Sequence, residues 1–515
     1  MQTVSDAFET IAGSSMRRLS WKLLASFLKD YDTDIAFFTV GESLIGGTDV
    51  IKGLGDVVQE WDKYSYEDYT SRIIGFEYTR EVDKALGGAT LAMADLTLEN
   101  HDQYFTPKYG SAISDYILPR RPVKLFAGFK DENIPIFVGM IEKMPNVKKN
   151  TADFHCVDFL QEIFDIPLDE SVIYQDYRTD QIIAELLQDH AGLATNQYSL
   201  DTGLNIVGFF FANKGDRLGD ILRKLVQAEM GSILMDENGV IRFINRINWN
   251  TNPEAWTFTD ADILESSVPN QDNVVNVVEV KSQVRDVLAS QKIWELFEPT
   301  AVPAGGTVEI WADLEDPTPT IDDPEYIATA TSSAYSTNYQ SDSSGEPGNA
   351  DIALDSITKF STSCKMVFSN AGAKQVFITG LDLWGTPAKV VNEIYVREED
   401  ASSVGEFEQQ VVTIENNYIQ DESTARSIAN IILIDNAEYD DTIEITVKGV
   451  PHLQVGDLVR RTNDYSDQTY YVQKIVGKIS GSNGFTQTLT LVNKAFETYF
   501  RVGISTIGGA DKITP

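Results

Sequence analysis

The apolar positions of this chain change period several times, and each change marks a boundary. In the first thirty residues Met16, Leu19, Leu23 and Phe27 fall three or four apart, with Trp21, Leu24 and Leu28 widening the stripe. This predicts an amphipathic helix. Arg17, Arg18, Lys22 and Lys29 flank it, so it would dock on the protein's own core, on a neighbouring subunit or on a membrane surface. From about residue 70 the pattern turns to short alternating runs at 71–78, 91–98, 122–129 and 134–141, separated by Gly, Pro, Asn and Asp. That is the signature of a β domain, and the last two runs fit a hairpin with a polar tip at 130–133.

The period becomes helical twice in the next stretch. Ile182, Ile183, Leu186 and Leu187 form the inner side of a helix over 179–190, and Leu218, Ile221, Leu222, Leu225 and Val226 that of a helix over 216–230. Thr179 and Asp216 stand where a side-chain oxygen would accept the free amide protons of each first turn. Two short strands over 231–243 then surround Asn238-Gly239, a dipeptide that favours tight hairpins because both residues tolerate positive φ. Residues 300–400 carry few helical signals and include a Ser/Thr/Asn/Asp/Gly/Tyr-rich stretch at 329–349, which predicts a β-sandwich-like insertion with long loops. An amphipathic helix follows over 421–434, with Ala425, Ile428, Ala429, Ile431 and Ile432 inward. Strands return at 442–447, 458–461, 470–475 and 486–491. No repeat of 20 to 50 residues is visible, which speaks against a solenoid or a propeller.

Length and charge narrow the functions. At 515 residues the chain can hold roughly three or four domains, each burying a core without crosslinks. Its two cysteines, Cys156 and Cys364, lie far apart with no CxxC pair, which fits neither a disulfide framework nor a cysteine zinc site. With 41 Lys+Arg against 78 Asp+Glu the formal charge is −37. Such a chain repels phosphate backbones and does not grip nucleic acid. The longest apolar run, 19–28, is interrupted by Lys22 and falls short of the ~18 residues that span a bilayer. It also lacks the uncharged core of a secretory signal, so synthesis and release in the cytosol are expected.

The search for chemistry returns little. His101, His155, His190 and His452 fall in four different elements, none three or four residues from another, so no histidine metal centre is indicated. Hydrolase, metalloprotease, phosphate-loop and kinase motifs are absent, and Gly53-Leu54-Gly55 lacks the third glycine of a dinucleotide site. The densest acidic segment, Asp313, Glu315, Asp316, Asp322, Asp323 and Glu325, is broken by prolines and lacks calcium-loop spacing, which reads as a solvated loop. Trp311, Tyr326, Tyr335 and Tyr339 could stack on sugars or make adaptable protein contacts, and the pattern favours the latter. No catalytic, cofactor-binding or metal-binding residue is therefore assigned.

Several segments together resemble one family. Leu98, Asn100, Asp102, Phe105, Thr106 and Pro107, followed by Arg121, Pro122 and Val123, are similar to the pattern L-x-N-x-D-G-x-F-S-P … G-R-P-V of the tail hub or minor tail proteins of long-tailed bacteriophages. Gln103 and Arg120 stand where that pattern has Gly. The helix from Asp216 into the Asn238-Gly239 hairpin, the runs 368–372 and 376–385, and the series 417–419, 453–459 and 470–475 follow the family's order over residues 65 to 500.

The resemblance implies a mainly β fold with α+β parts, made of two tail-tube-like β-barrel domains, a small α/β domain and an inserted β-sandwich-like domain. Its domains would be an N-terminal helical or extended segment (1–64), the first barrel (65–170), the α/β domain (171–250), a connection with the first strand of the second barrel (251–294), the insertion (295–400), the second barrel (401–500) and a tail (501–515). Strand 273–281 would join 409–493 in that second barrel. It further implies a homotrimer that mates a sixfold tube with a threefold tip around a DNA channel. Its partners would be a distal tail protein, a tape measure protein and other tail-tip or fibre proteins, in a virion assembled in the host cytoplasm, without cofactor or catalysis. Another tail-tip component, such as a distal tail or receptor-binding protein, and a virion-associated polysaccharide-binding or polysaccharide-degrading protein remain as alternatives.

Overall fold

The computed structural model describes residues 1–14, 19–28, 64–82, 88–129, 132–246, 254–267, 274–326, 332–437, 441–462, 467–480 and 484–493. The chain is mainly β. Its dominant feature is one 14-stranded sheet, traced in the order Ile263–Ser267, Asp441–Lys448, Gly484–Asn493, Asp467–Ser480, Ile73–Glu81, Met93–Glu99, Thr151–Val157, Glu132–Ile141, Pro122–Phe129, Leu19–Ala25 and Glu67–Asp68. Leu458–Thr462 branches from Asp467–Ser480 and pairs in parallel with Glu254–Thr259.

Among the described residues no path of strands returns on itself, so the two closed barrels implied by the resemblance are not formed. The reason lies in Asp467–Ser480, a strand of 14 residues. It pairs with Gly484–Asn493, with Leu458–Thr462 and with Ile73–Glu81, and so carries the sheet from the C-terminal strands into the N-terminal ones. Both groups alternate in and out and share one core, where Phe76, Leu96 and Phe154 meet Ile445, Ile475 and Leu489. At the joint the Tyr78 ring packs against the backbone of Gly477, where a Cβ would stand 2.1 Å from its nearest ring atom. Only glycine lets these two strands approach.

The helix expected over the first thirty residues is not formed in its described part. Leu19–Ala25 is a strand paired antiparallel with Pro122–Phe129 from Leu19↔Phe129 to Ala25↔Val123. Leu19, Trp21, Leu23 and Ala25 also alternate, and the open edge of Pro122–Phe129 selects that period over the helical one. A shorter helix, Asp6–Ala12, precedes it, and the Ser5 hydroxyl accepts the Phe8 N–H at 3.2 Å as its cap. Residues 15–18, Gly53 to Gly55 and the hairpin tip at 130–131 lie outside the described residues.

A second core joins the small α/β domain to a three-stranded sheet. Helices Thr179–Glu185, continued by a π-helical turn over Leu186–His190, and Leu218–Glu229 pack here with the strands of the Asn238-Gly239 hairpin. Neither expected cap is used: Arg178 and Arg217 occupy the cap positions, and the Asp216 carboxylate instead accepts the Asn213 N–H at 2.8 Å. In the hairpin only Gly239 has positive φ, 82°, because the Asp236 carboxylate accepts the N–H groups of Asn238 and Val240 and builds a wider turn.

Of the expected partners within 409–493, Val277–Val287 pairs only with Val411–Glu415, in a three-stranded sheet separate from the large one. It lies between Ala388–Glu399 and Val411–Glu415, and helix Glu422–Asn436 packs on that sheet. Val278, Val280 and Ile414 bury against Ala425, Ile428 and Ile432, which gives this strand an apolar partner outside the large sheet. Asp421 caps the helix by accepting from Ser423 and Thr424. Between Gln291 and Gly385 a five-stranded and a three-stranded sheet enclose a third core around Val302, Ile310, Met366, Phe368, Ile378 and Leu383. This is the sandwich-like insertion.

Candidate functional site

In the middle of the large sheet, strands Asp467–Ser480, Ile73–Glu81, Met93–Glu99 and Thr151–Val157 bury one row of side chains and turn the other outward, a row that is mostly polar and is interrupted by Met93 and Val476 in register with Thr79. Lys474 stands opposite Glu81 and Lys478 opposite Glu77, with ion pairs of 2.9 and 3.1 Å. His155 stands opposite Asp95 at 2.7 Å, and Thr97 opposite Asp153. Thr446 and Thr488 exchange a hydrogen bond of 3.0 Å further along. The result is a surface on which threonines and cross-strand ion pairs predominate.

One edge of this surface is held by the segment from Asn100 to Arg121. The buried Asn100 side chain accepts the Phe105 N–H at 2.7 Å and donates to Thr106, while Phe105, Ile113 and Ile117 fill the core beneath. Arg72 grips Asp102 through two hydrogen bonds, 3.0 and 2.8 Å, and lies 4.4 Å over the Tyr104 ring. That clamp holds the Asp102 carboxyl down at about 2. Gln103 and Arg120 have φ of 58° and 62°. These are the two positions where the resembling pattern has Gly, so the turns keep the left-handed backbone that glycine would supply.

A buried polar joint links the sheet to the small α/β domain. Arg80 pairs with Glu237, donates to the Met235 carbonyl at 2.6 Å, and Glu237 also accepts from Gln454. Nearby Asp158 accepts the N–H groups of Ala92 and Leu160, and burial pushes its carboxyl up to about 7 against the pull of those bonds and of Arg80. Nothing in the sequence announces this cluster, since Arg80 and Met235 are 155 positions apart. Its members are ordinary polar residues read one at a time.

The structure scatters the sequence's candidate residues. His101 is exposed 3.6 Å from Glu99, His190 lies 3.6 Å from Asp169, and His452 is buried with its ring edge-on to Phe8 and Trp256. Among the described residues no three His, Cys, Asp or Glu side chains come together to hold a metal. Cys156 and Cys364 sit in different cores, and burial pushes both thiols up, that of Cys364 to about 11. In the acidic segment Asp316 pairs with Arg285 and Lys389, Asp323 pairs with Lys359 at 2.5 Å, and Asp313, Glu315 and Glu325 stay exposed. Tyr335 is packed between Tyr326 and Phe368, and the Tyr339 hydroxyl donates to Asp351. Trp311 alone of the four aromatics remains half-exposed, stacked beside Phe360, a residue that carried no signal in its own sequence neighbourhood. Among the described residues no helix is long and apolar enough to cross a membrane.

No family model matches the chain, and no curated protein matches its sequence. Among solved structures it is similar to the 43 kDa tail protein of prophage MuSo2 from Shewanella oneidensis, at 11% identity and a TM-score of 0.45, over 83% of this chain and 96% of that one. It is also similar to a tail protein from Neisseria meningitidis MC58, at 9% identity and a TM-score of 0.46, over 84% and 94%. A third is prophage tail protein gp18 from Listeria monocytogenes EGD-e, at 9% and 0.40, over 85% and 94%.

Proposed function

We propose that the chain is a structural, non-enzymatic component of a phage tail tip and serves there as the hub between tube and tip. The observation that carries this reading is the single continuous sheet made by strands from opposite ends of one polypeptide, mostly polar on its open face and joined at Ile73–Glu81 with Asp467–Ser480. Each copy then offers two mainly antiparallel groups of strands, and three copies offer six, so a threefold body can meet a sixfold tube. The left-handed turns at Gln103 and Arg120 support the same reading, because they reproduce the family's glycine positions in backbone conformation. The end strand Ile263–Ser267 is exposed along most of its length and pairs on one side only among the described residues, which leaves it for a neighbouring copy.

On this reading the polar face lines the path of DNA, and the partners are a distal tail protein, a tape measure protein and other tip proteins. The native mass of the purified chain, alone and mixed with neighbouring tail proteins, tests it. Three copies per assembly are expected, and a distal tail ring would give six. A chain that stays single in every mixture overturns the proposal, and so does turnover of cell-wall polymers that disappears when one carboxylate is changed.

A further inference from the structure

The insertion carries an aromatic surface that its own packing does not use. In strand Thr307–Asp313, Ile310 and Ala312 face the core, while Trp311 points to water at 51% exposure. Its ring lies nearly parallel to that of Phe360, 11° between planes and 6.1 Å between centroids. Phe360 in turn lines an open cleft of about 530 Å³ together with Ile173 and Gln175 of the small α/β domain and Thr318, Thr320, Lys359 and Ser361 of the insertion. An apolar platform thus runs into a polar groove.

The rim narrows the ligand. Glu309 and Asp313 share the outward face with Trp311. Lys365 lies 5.7 Å from the centre of the Trp311 ring but is already paired with Glu309 at 2.7 Å, and Lys359 of the cleft is paired with Asp323 at 2.5 Å. Carboxylates are strong acceptors for hydroxyl groups and repel anions. A pyranose has a face of C–H bonds that suits the negative face of an aromatic ring and an edge of hydroxyls that suits carboxylates.

We propose that Trp311 and Phe360 form a stacking platform for an uncharged pyranose, with the adjoining cleft taking the continuation of the glycan chain. This does not depend on the tail-tip reading. The full chain should be retarded in native gels that contain a neutral polysaccharide from a panel of dextran, mannan, galactomannan and soluble β-glucan, and should run freely through polygalacturonate. Trp311→Ala and Phe360→Ala should weaken the retardation by about tenfold or more, and Trp311→Phe, which preserves an aromatic surface on the strand, by less. Tyr109→Ala, at an exposed site on the large-sheet side, should leave it unchanged. Failure of all neutral polymers to retard the chain overturns the proposal, as does retardation by polygalacturonate alone. It is overturned equally if the Trp311 and Phe360 variants bind like the parent, or if Tyr109→Ala loses as much as they do. Should Trp311→Ala unfold, Trp311→Phe and Phe360→Ala decide the matter.

Discussion

Replacing Glu237 by Gln should open the joint between the large sheet and the small α/β domain. The side chains of Arg80 and Glu237 are 5% and 4% exposed, so neither charge can turn to water. Gln keeps the shape and can still accept from Arg80, yet it leaves the guanidinium with the neutral Met235 carbonyl and only the unpaired influence of Asp236 and of Asp158, the latter favoured by burial in its protonated form. Breaking one side of a buried pair costs about 3–5 kcal/mol. Ionisation of Asp158 next to the abandoned Arg80 would recover part of this, so the low end is expected. Urea unfolding should show the loss as a lowered midpoint. Hydrogen exchange should show it first in the Ser232–Met235 and Ile241–Ile244 strands. The combined variant Arg80→Met with Glu237→Leu removes both charges together and should return to within about 1 kcal/mol of the parent. The reasoning is refuted if Glu237→Gln costs less than about 1 kcal/mol, or if the double variant is as unstable as the two single changes added together.

Three other outcomes follow from the same geometry. Arg120→Gly should leave the melting temperature equal or higher, because relief of a left-handed backbone offsets the entropy of Gly, while Arg120→Val should cost about 1–2 kcal/mol more than Gly; equal melting of the Gly and Val variants would show that the turn is not strained. Asn100→Ala orphans the buried Phe105 N–H and should cost about 1–3 kcal/mol in chemical unfolding, an effect absent if the 101–121 segment is held by its apolar anchors alone. Asp158 holds its proton up to about 7 in the folded chain against an ordinary 3.8, so between these values the folded form binds a proton that the unfolded form has released, and stability falls as pH rises. Asp158→Asn cannot titrate, so its stability relative to the parent should rise across that window and level off above it; a difference that is flat with pH contradicts the assignment.

The strands were legible where one face is buried. Residues 71–78, 442–447 and 486–491 alternate because Phe76, Ile445 and Leu489 must reach a core while Glu77, Thr446 and Thr488 meet water. The first segment misled because Leu19 and Leu23 satisfy both the helical and the two-residue period. The choice was made by Pro122–Phe129, about a hundred residues away. Val277 to Val280 reads as a buried strand, but no local pattern says which sheet will receive it; its neighbour at 388–399 lies beyond a whole inserted sandwich. Closure of a sheet into a barrel is non-local in the same way. The Arg80–Glu237 pair and the Trp311–Phe360 stack were invisible for the same reason.

The ion pairs on the open face bear on how the two ends of the chain find one register. Exposed pairs such as Lys474–Glu81 and Lys478–Glu77 contribute about 0–1 kcal/mol each, too little to explain the stability of a sheet this size. Their placement does more for register. A slip of one residue between Ile73–Glu81 and Asp467–Ser480 would carry both lysines into the apolar core and expose Ile475 and Ile479. A slip of two would keep the faces but set the lysines against other partners, lift Tyr78 from Gly477 and break its hydroxyl's bond with the buried Gln487. Charge on one face and steric fit on the other thus admit the same single pairing, where strands from the N-terminal and C-terminal parts of the chain meet.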